Sequence, residues 1–242
     1  MFYKGKESRT KIGGSRIVDA IRTKGKKLFI LTNNSTDTVG TIRSRLNECG
    51  IAIRKEEILT SGALTADYLR RKFGRVSYFL IGEAGLEAEM SRLGHRRTRG
   101  EQADAVVIGL DRHFTYEKLD HAARVVRNGS SIIATHRSRL YMYKTGPAVA
   151  TGPIVSAVEY ATGKRAVVIG KPSPLMFRLA LERAKCRNEE AVMIGDQVET
   201  DLIGASRAGI DAILVTTGID TRAKGVPTIG TFSNVDELVS LL

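Results

Sequence analysis

The sequence predicts an α/β protein built on parallel sheet, and two observations carry that prediction. Apolar runs of strand character alternate with amphipathic helical segments almost from end to end, the pattern of parallel α/β layers. Three polar clusters directly follow three of the strands, at the carboxyl edge where open α/β sheets bind ligands. The predicted strands are Lys27–Leu31, Val76–Ile81, Ala105–Gly109, Ser131–Thr135, Ala166–Ile169, Ala191–Ile194 and Ala212–Val215.

Helical periodicity fills the intervals. Val39, Ile42 and Leu46 share one helical face and Gly50 follows as a stop. Leu119, Ala122, Ala123 and Val126 repeat the pattern between Thr115 and Gly129, and Met176, Leu179, Ala180 and Ala184 do so after Pro174. The chain opens differently: its first convincing element is a helix around Ser15–Lys24, with Ile17, Val18 and Ile21 on one side. A parallel sheet of this kind normally begins with a strand, so residues 1–14 read as the loop after a strand that the sequence lacks.

A length of 242 residues suits one large or two modest domains, and two are expected. With 42% hydrophobic and 26% charged residues, and no apolar stretch near the ~18 residues of a membrane span, the chain reads as soluble and globular. No apolar run follows the basic opening MFYKGKESRTK, so cytoplasm is the default location. Cys49 and Cys186 stand alone, which suggests neither a disulfide framework nor a zinc site. A net charge of +12 favours anionic partners: phosphorylated metabolites, nucleic acid or anionic lipid. The densest basic patches, His95-Arg96-Arg97-Thr98-Arg99 and His136-Arg137-Ser138-Arg139, lack the interleaved aromatics of a single-strand platform and are expected to be solvated loops.

Each of the three clusters has a chemical reading and a plain one. In Leu31-Thr32-Asn33-Asn34-Ser35-Thr36, hydroxyls and amides at a helix start can hold phosphate oxygens without adding negative charge; they also favour caps and turns. In Gly170-Lys171-Pro172-Ser173-Pro174, Lys171 can neutralise phosphoryl charge in a transition state or stand as a surface lysine in a turn. P-loop glycine spacing is absent. In Gly195-Asp196-Gln197-Val198-Glu199-Thr200-Asp201, carboxylates at a strand end offer hard oxygen ligands suited to Mg²⁺. Asp201 alone could equally cap a helix running through Ala208.

In order, these three segments closely resemble the second, third and fourth site motifs of the haloacid dehalogenase (HAD) phosphohydrolase superfamily, in its NagD and p-nitrophenyl phosphatase branch. Ile58-Leu59-Thr60-Ser61-Gly62, Val107-Ile108-Gly109-Leu110-Asp111, Phe114-Thr115-Tyr116-Glu117-Lys118-Leu119 and Leu214-Val215-Thr216-Thr217-Gly218 extend the match over nearly the whole chain. The resemblance implies a doubly wound core with an inserted α/β cap, mapped here to residues 1–72 and 169–242 for the core and 73–168 for the cap. It also implies Mg²⁺ and hydrolysis of small phosphate monoesters. The first aspartate of an Asp-x-Asp-Gly motif attacks phosphorus, and the second serves as acid and then base. Carried over by position, Thr32 and Asn33 hold phosphate oxygens, Lys171 stabilises nucleophile and phosphoryl group, Asp196 binds Mg²⁺, and Asp201 orders that site through a water or hydrogen bonds. The expected partner is a small phosphorylated metabolite. Membrane is not expected, nucleic acid is disfavoured, and a homo-oligomer is compatible with the residues.

Two departures qualify the resemblance. No Asp-x-Asp-Gly occurs anywhere in the sequence. Phe2-Tyr3-Lys4-Gly5 resembles the stretch that follows the motif, so Met1 would fall just after its glycine. The only acids before the Leu31–Thr36 segment, Glu7 and Asp19, are not credible substitutes. The expectation is a core lacking its first strand and an inactive chain, with a start placed too late or a chain cut short at its beginning as the favoured explanation and a non-enzymatic phospho-metabolite-binding protein as the alternative. A basic nucleic-acid-associated protein is supported by charge alone. In the cap, Thr135-His136-Arg137-Ser138 replaces the common Thr-Asn-x-Asp, a change that would favour a more anionic substrate or that reflects drift alone.

Overall fold

The computed structural model describes residues 14–143, 146–218 and 220–241. The expected opening loop therefore lies outside the described residues except for Gly14. In chain order the elements are α1 (Ser15–Thr23), β1 (Ile30–Thr32), α2 (Val39–Glu48), β2 (Ile58–Thr60), α3 (Ser61–Phe73), β3 (Ser77–Ile81), α4 (Ala84–Arg92), β4 (Arg96–Arg97), β5 (Ala105–Ile108) and α5 (Tyr116–Arg127). There follow β6 (Ser131–Ala134), β7 (Leu140–Tyr143), β8 (Gly146–Val149), α6 (Thr151–Thr162), β9 (Val167–Val168), α7 (Pro174–Ala184), β10 (Val192–Gly195), α8 (Ile203–Arg207), β11 (Asp211–Val215) and β12 (Gly230–Phe232). The α/β class with parallel sheet is the one the sequence predicts, and each predicted strand is present. Contacts divide the chain into two compact units, residues 14–30, 41–58 and 171–241 in one and 31–40 and 59–170 in the other.

The second unit holds a five-stranded sheet in the order β4-β3-β5-β6-β9, parallel throughout. Its central strand, Ala-Val-Val-Ile, is buried along its whole length, as expected of a parallel strand covered on both faces. Ile81, Val106, Ile108, Ile132 and Ala134 pack against Ala122, Val125 and Val126 of α5 and Ile154, Val155 and Val158 of α6. Thr115 caps α5 by accepting the Lys118 N–H at 3.3 Å, and Gly129 beyond its end takes a φ of 108°, as the sequence suggests.

In the first unit β10, β11 and β12 form a parallel three-stranded sheet, with Val192 opposite Asp211 and Gly195 opposite Leu214. The buried face of α1 is Ile17, Val18 and Ile21, the set its periodicity indicates. Ser173 caps α7 at its amino end, followed by Pro174 in the first turn.

The structure corrects several sequence expectations. The first basic patch is not a solvated loop. Arg96 and Arg97 form the exposed edge strand β4, where charge discourages further pairing. His95 is buried, its Nδ1 accepting the Val76 N–H at 3.2 Å and its Nε2 facing the Ala66 carbonyl at 3.0 Å. In the second patch, His136 is buried and accepts the Ser138 N–H through Nδ1 at 3.2 Å while Nε2 meets the Thr151 hydroxyl at 2.9 Å. Arg137 is drawn to the buried Glu159 at 2.8 Å. This loop therefore presents less free positive charge than its composition implies. Strands β2, β4, β8 and β12 and the β7–β8 hairpin have no predicted counterpart. They are two to four residues long, too short for periodicity to declare them.

Candidate active site

Asp196 directly follows the last residue of β10, at the carboxyl end of a parallel-sheet strand. The chain then enters a π-helical turn, Val198–Leu202, before α8. Asp201 lies inside that turn, so it does not cap the following helix. Its backbone N–H donates to the Gln197 carbonyl at 2.8 Å, and the wider turn aims its side chain back at the strand end. There Oδ2 accepts the N–H groups of Asp196 at 3.1 Å and Gln197 at 3.2 Å, while Oδ1 accepts from Lys171 Nζ at 2.6 Å. The lysine and aspartate side chains are only 10% and 4% exposed. Lys171, at the start of the segment leading to α7, is thus a buried, paired lysine rather than a surface one.

Asp196 is also buried, and its Oδ2 has no hydrogen-bond partner among the described residues. Burial pushes its carboxyl above the ordinary range; the nearby Asp201 carboxylate adds to that and Lys171 opposes it. A Cβ built on Gly218 would lie 1.8 Å from this same oxygen, so only glycine lets the loop after β11 approach so closely. A buried carboxylate oxygen with no donor among the described residues can be satisfied by a cation. Among the described residues no cluster of three His, Cys, Asp or Glu side chains forms a cation cage. Mg²⁺ typically takes one or two carboxylates and completes its shell with waters and substrate phosphate. The residues fit such an ion, with Asp196 as ligand and Asp201 behind it.

Thr32 and Asn33 belong to the other compact unit and are described within it. Thr32 Oγ1 accepts the Asn34 N–H at 3.2 Å, a local turn contact that leaves its hydroxyl hydrogen to donate. Asn34 does most of the turn work: its Oδ1 accepts from the Thr36 and Asp37 N–H groups, both at 2.9 Å. The loop is further fixed by Ser61 Oγ, donating to the Asn33 carbonyl at 2.9 Å, and by Ser35 Oγ, accepting the Leu110 N–H at 3.2 Å. Asn33 Nδ2 donates to Ser138 Oγ at 3.3 Å. A Cβ at Gly170 would meet Asn33 Oδ1 and the Thr135 carbonyl oxygen, each at 2.5 Å, so glycine is required there too.

Residues 6–96 match the haloacid dehalogenase-like hydrolase family, and residues 168–238 match the HAD-hydrolase-like family. An acid sugar phosphatase of Staphylococcus aureus is 34% identical over 234 residues, covering 95% of this chain and 90% of its own length. The chain belongs to the haloacid dehalogenase-like hydrolases. Solved members superpose closely: a p-nitrophenyl phosphatase from Archaeoglobus fulgidus has a TM-score of 0.93 at 29% identity, covering 100% of this chain and 96% of that one. A 4-nitrophenylphosphatase from Thermotoga maritima has a TM-score of 0.90 at 32% identity, covering 99% and 93%. Within the family this haloacid dehalogenase-like hydrolase falls in the NagD-like branch.

Sequence reasoning missed Ser61, Gly218 and Asp220 at these two places. The sequence signal for Gly218 was its position in Leu214-Val215-Thr216-Thr217-Gly218, at the carboxyl end of β11. Asp220 had no such signal: its Oδ2 accepts the Val198 N–H at 2.8 Å, and it pairs with Lys224. Burial alone would raise its carboxyl, but those two hydrogen bonds outweigh it and hold the group below the ordinary range.

Proposed function

We propose that this haloacid dehalogenase-like hydrolase carries the framework of a Mg²⁺-dependent phosphatase for small phosphate monoesters. The observation that carries the reading is the buried Oδ2 of Asp196, unpartnered among the described residues, beside the Lys171–Asp201 pair, in a chain whose relatives are named phosphatases. Residues 1–72 and 169–242 serve as core and 73–168 as cap. Thr32, through its hydroxyl hydrogen, and Asn33, through its amide, bind phosphate oxygens. Lys171 neutralises charge on the phosphoryl group and on an attacking carboxylate, held in place by Asp201. Asp196 holds Mg²⁺, which when bound offsets phosphate charge so that an anionic nucleophile can approach. The protein acts in the cytoplasm on a phosphorylated metabolite, without membrane or nucleic acid.

An aspartyl-phosphate route needs a nucleophile, and the sequence contains no Asp-x-Asp-Gly. These 242 residues alone are therefore expected to turn over p-nitrophenyl phosphate negligibly, with or without Mg²⁺. Appending an in-frame upstream strand that ends in Asp-x-Asp-Gly, if the DNA before the Met1 codon encodes one, should create Mg²⁺-dependent turnover that Asp196→Asn abolishes. Turnover by the chain as it stands, lost in Asp196→Asn, would mean that another group attacks phosphorus and that this mechanism is wrong. The missing motif also favours a second reading, a phospho-metabolite-binding protein without catalysis. A stop codon directly before Met1, together with phosphate binding lost in Lys171→Ala, would select it.

A further inference from the structure

We infer that the loop after β11, through Gly218 and Asp220, is a positioning element that fixes the Asp196 carboxylate for cation binding; the inference rests on the proposed role of Asp196. The turn Asp196-Gln197-Val198 is held from two sides. From one side Asp201 Oδ2 takes the N–H groups of Asp196 and Gln197. From the other, the Asp220 backbone N–H donates to the Asp196 carbonyl at 3.2 Å while Asp220 Oδ2 accepts the buried Val198 N–H at 2.8 Å. Asp220 therefore grips the chain on both flanks of Gln197, and the two aspartates together bind three successive N–H groups and one carbonyl. Asp220 is 8% exposed, and Lys224 binds its other oxygen, which keeps Oδ2 turned toward Val198.

Gly218 completes the arrangement. Its α-carbon lies against the Asp196 side chain, with a built Cβ only 2.4 Å from both Cβ and Cγ of that residue. The loop thereby fixes where the carboxylate can sit while offering no side-chain donor to Oδ2. That oxygen is held in position and has no hydrogen-bond partner among the described residues. Residues that orient a metal ligand commonly cost about 10–100-fold in metal affinity when removed, because the ligand's backbone relaxes and its approach angle is lost.

Mn²⁺ alone serves as the probe, its free concentration read by electron paramagnetic resonance, with thermal melts of each variant alongside. The unaltered chain binds Mn²⁺ and Asp196→Asn does not. Asp220→Ala weakens binding by about tenfold or more. Asp220→Asn, which keeps an oxygen for the Val198 N–H, recovers most of it. Gly218→Ala, at an exposed turn position, weakens binding as Asp220→Ala does, and it decides the matter alone if Asp220→Ala does not fold. Unaltered affinity in Asp220→Ala or Gly218→Ala, whether or not the melting temperature falls, would overturn the inference while leaving the Asp196 reading intact. Absence of Mn²⁺ binding in the unaltered chain, or binding that survives Asp196→Asn, would instead defeat the reading of Asp196 and the inference with it.

Discussion

Replacing Lys171 with methionine keeps most of the side-chain stem and removes the charge that faces Asp201. At 2.6 Å the pair's Coulomb attraction is about 6 kcal/mol for an effective dielectric of about 20, but desolvating both ions offsets much of it. Stranding one member of such a buried pair costs about 3–5 kcal/mol. Asp201 Oδ2 would keep its two backbone N–H donors, which places Lys171→Met near the lower end, at about 3 kcal/mol. For a chain of this size that is a fall of roughly 6–12 °C in Tm. Urea unfolding at pH 7 of Lys171→Met, Asp201→Asn and the double variant gives the pairwise term, expected at about 2–3 kcal/mol. The exposed pair Arg187–Glu190, 3.4 Å apart with side chains 71% and 49% exposed, is the control and should couple by about 0–1 kcal/mol. If the Lys171–Asp201 coupling is as small as the control's, burial does not strengthen the pair and the reasoning fails.

Three further outcomes follow from the same structure. His95 is held below its usual value of 6.5, chiefly by burial, so between 6.5 and its folded value the unfolded chain binds more protons. Its contribution to stability is then present above 6.5 and is lost as pH falls through that window; urea midpoints of His95→Gln should show a flatter dependence there, and identical slopes would contradict the assignment. Gly170→Ala should destabilise by about 1–3 kcal/mol, because its Cβ would press on the Thr135 carbonyl. Gly40→Ala, in α2 with its nearest neighbour at 3.6 Å, should instead gain up to about 1 kcal/mol, and the two urea midpoints should move in opposite directions. Glu159→Gln should lower stability more than Glu101→Gln, since Glu159 is buried under Arg137 while the Arg124–Glu101 pair is exposed; equal losses would refute the anchoring role of Glu159.

Seven strands and the helices α1, α2, α5 and α7 were legible because each is a run whose own residues fix its period and burial, as Ala105–Ile108 and the Ile17–Val18–Ile21 face show. The family, too, lay in the residues, in three polar segments at strand ends. What each polar residue does was decided by partners distant in sequence. Nothing local to Asp201 distinguishes a helix cap from the partner of a lysine thirty residues earlier; the π-helical turn made that choice. His95 and His136 read as members of basic loops, yet both are buried because distant backbone and side-chain groups satisfy their nitrogens. Gly218 and Asp220 gain their importance only because β11 lies beside β10, bringing the loop after one strand against the carboxylate after the other. The sequence by itself determined the α/β class, the strand ends and the chemistry offered there, since these depend on short-range periodicity and residue type. Only the tertiary structure decided which charges are paired and which buried oxygen stays without a partner among the described residues, because burial and partnership are set by packing between segments that the chain keeps apart.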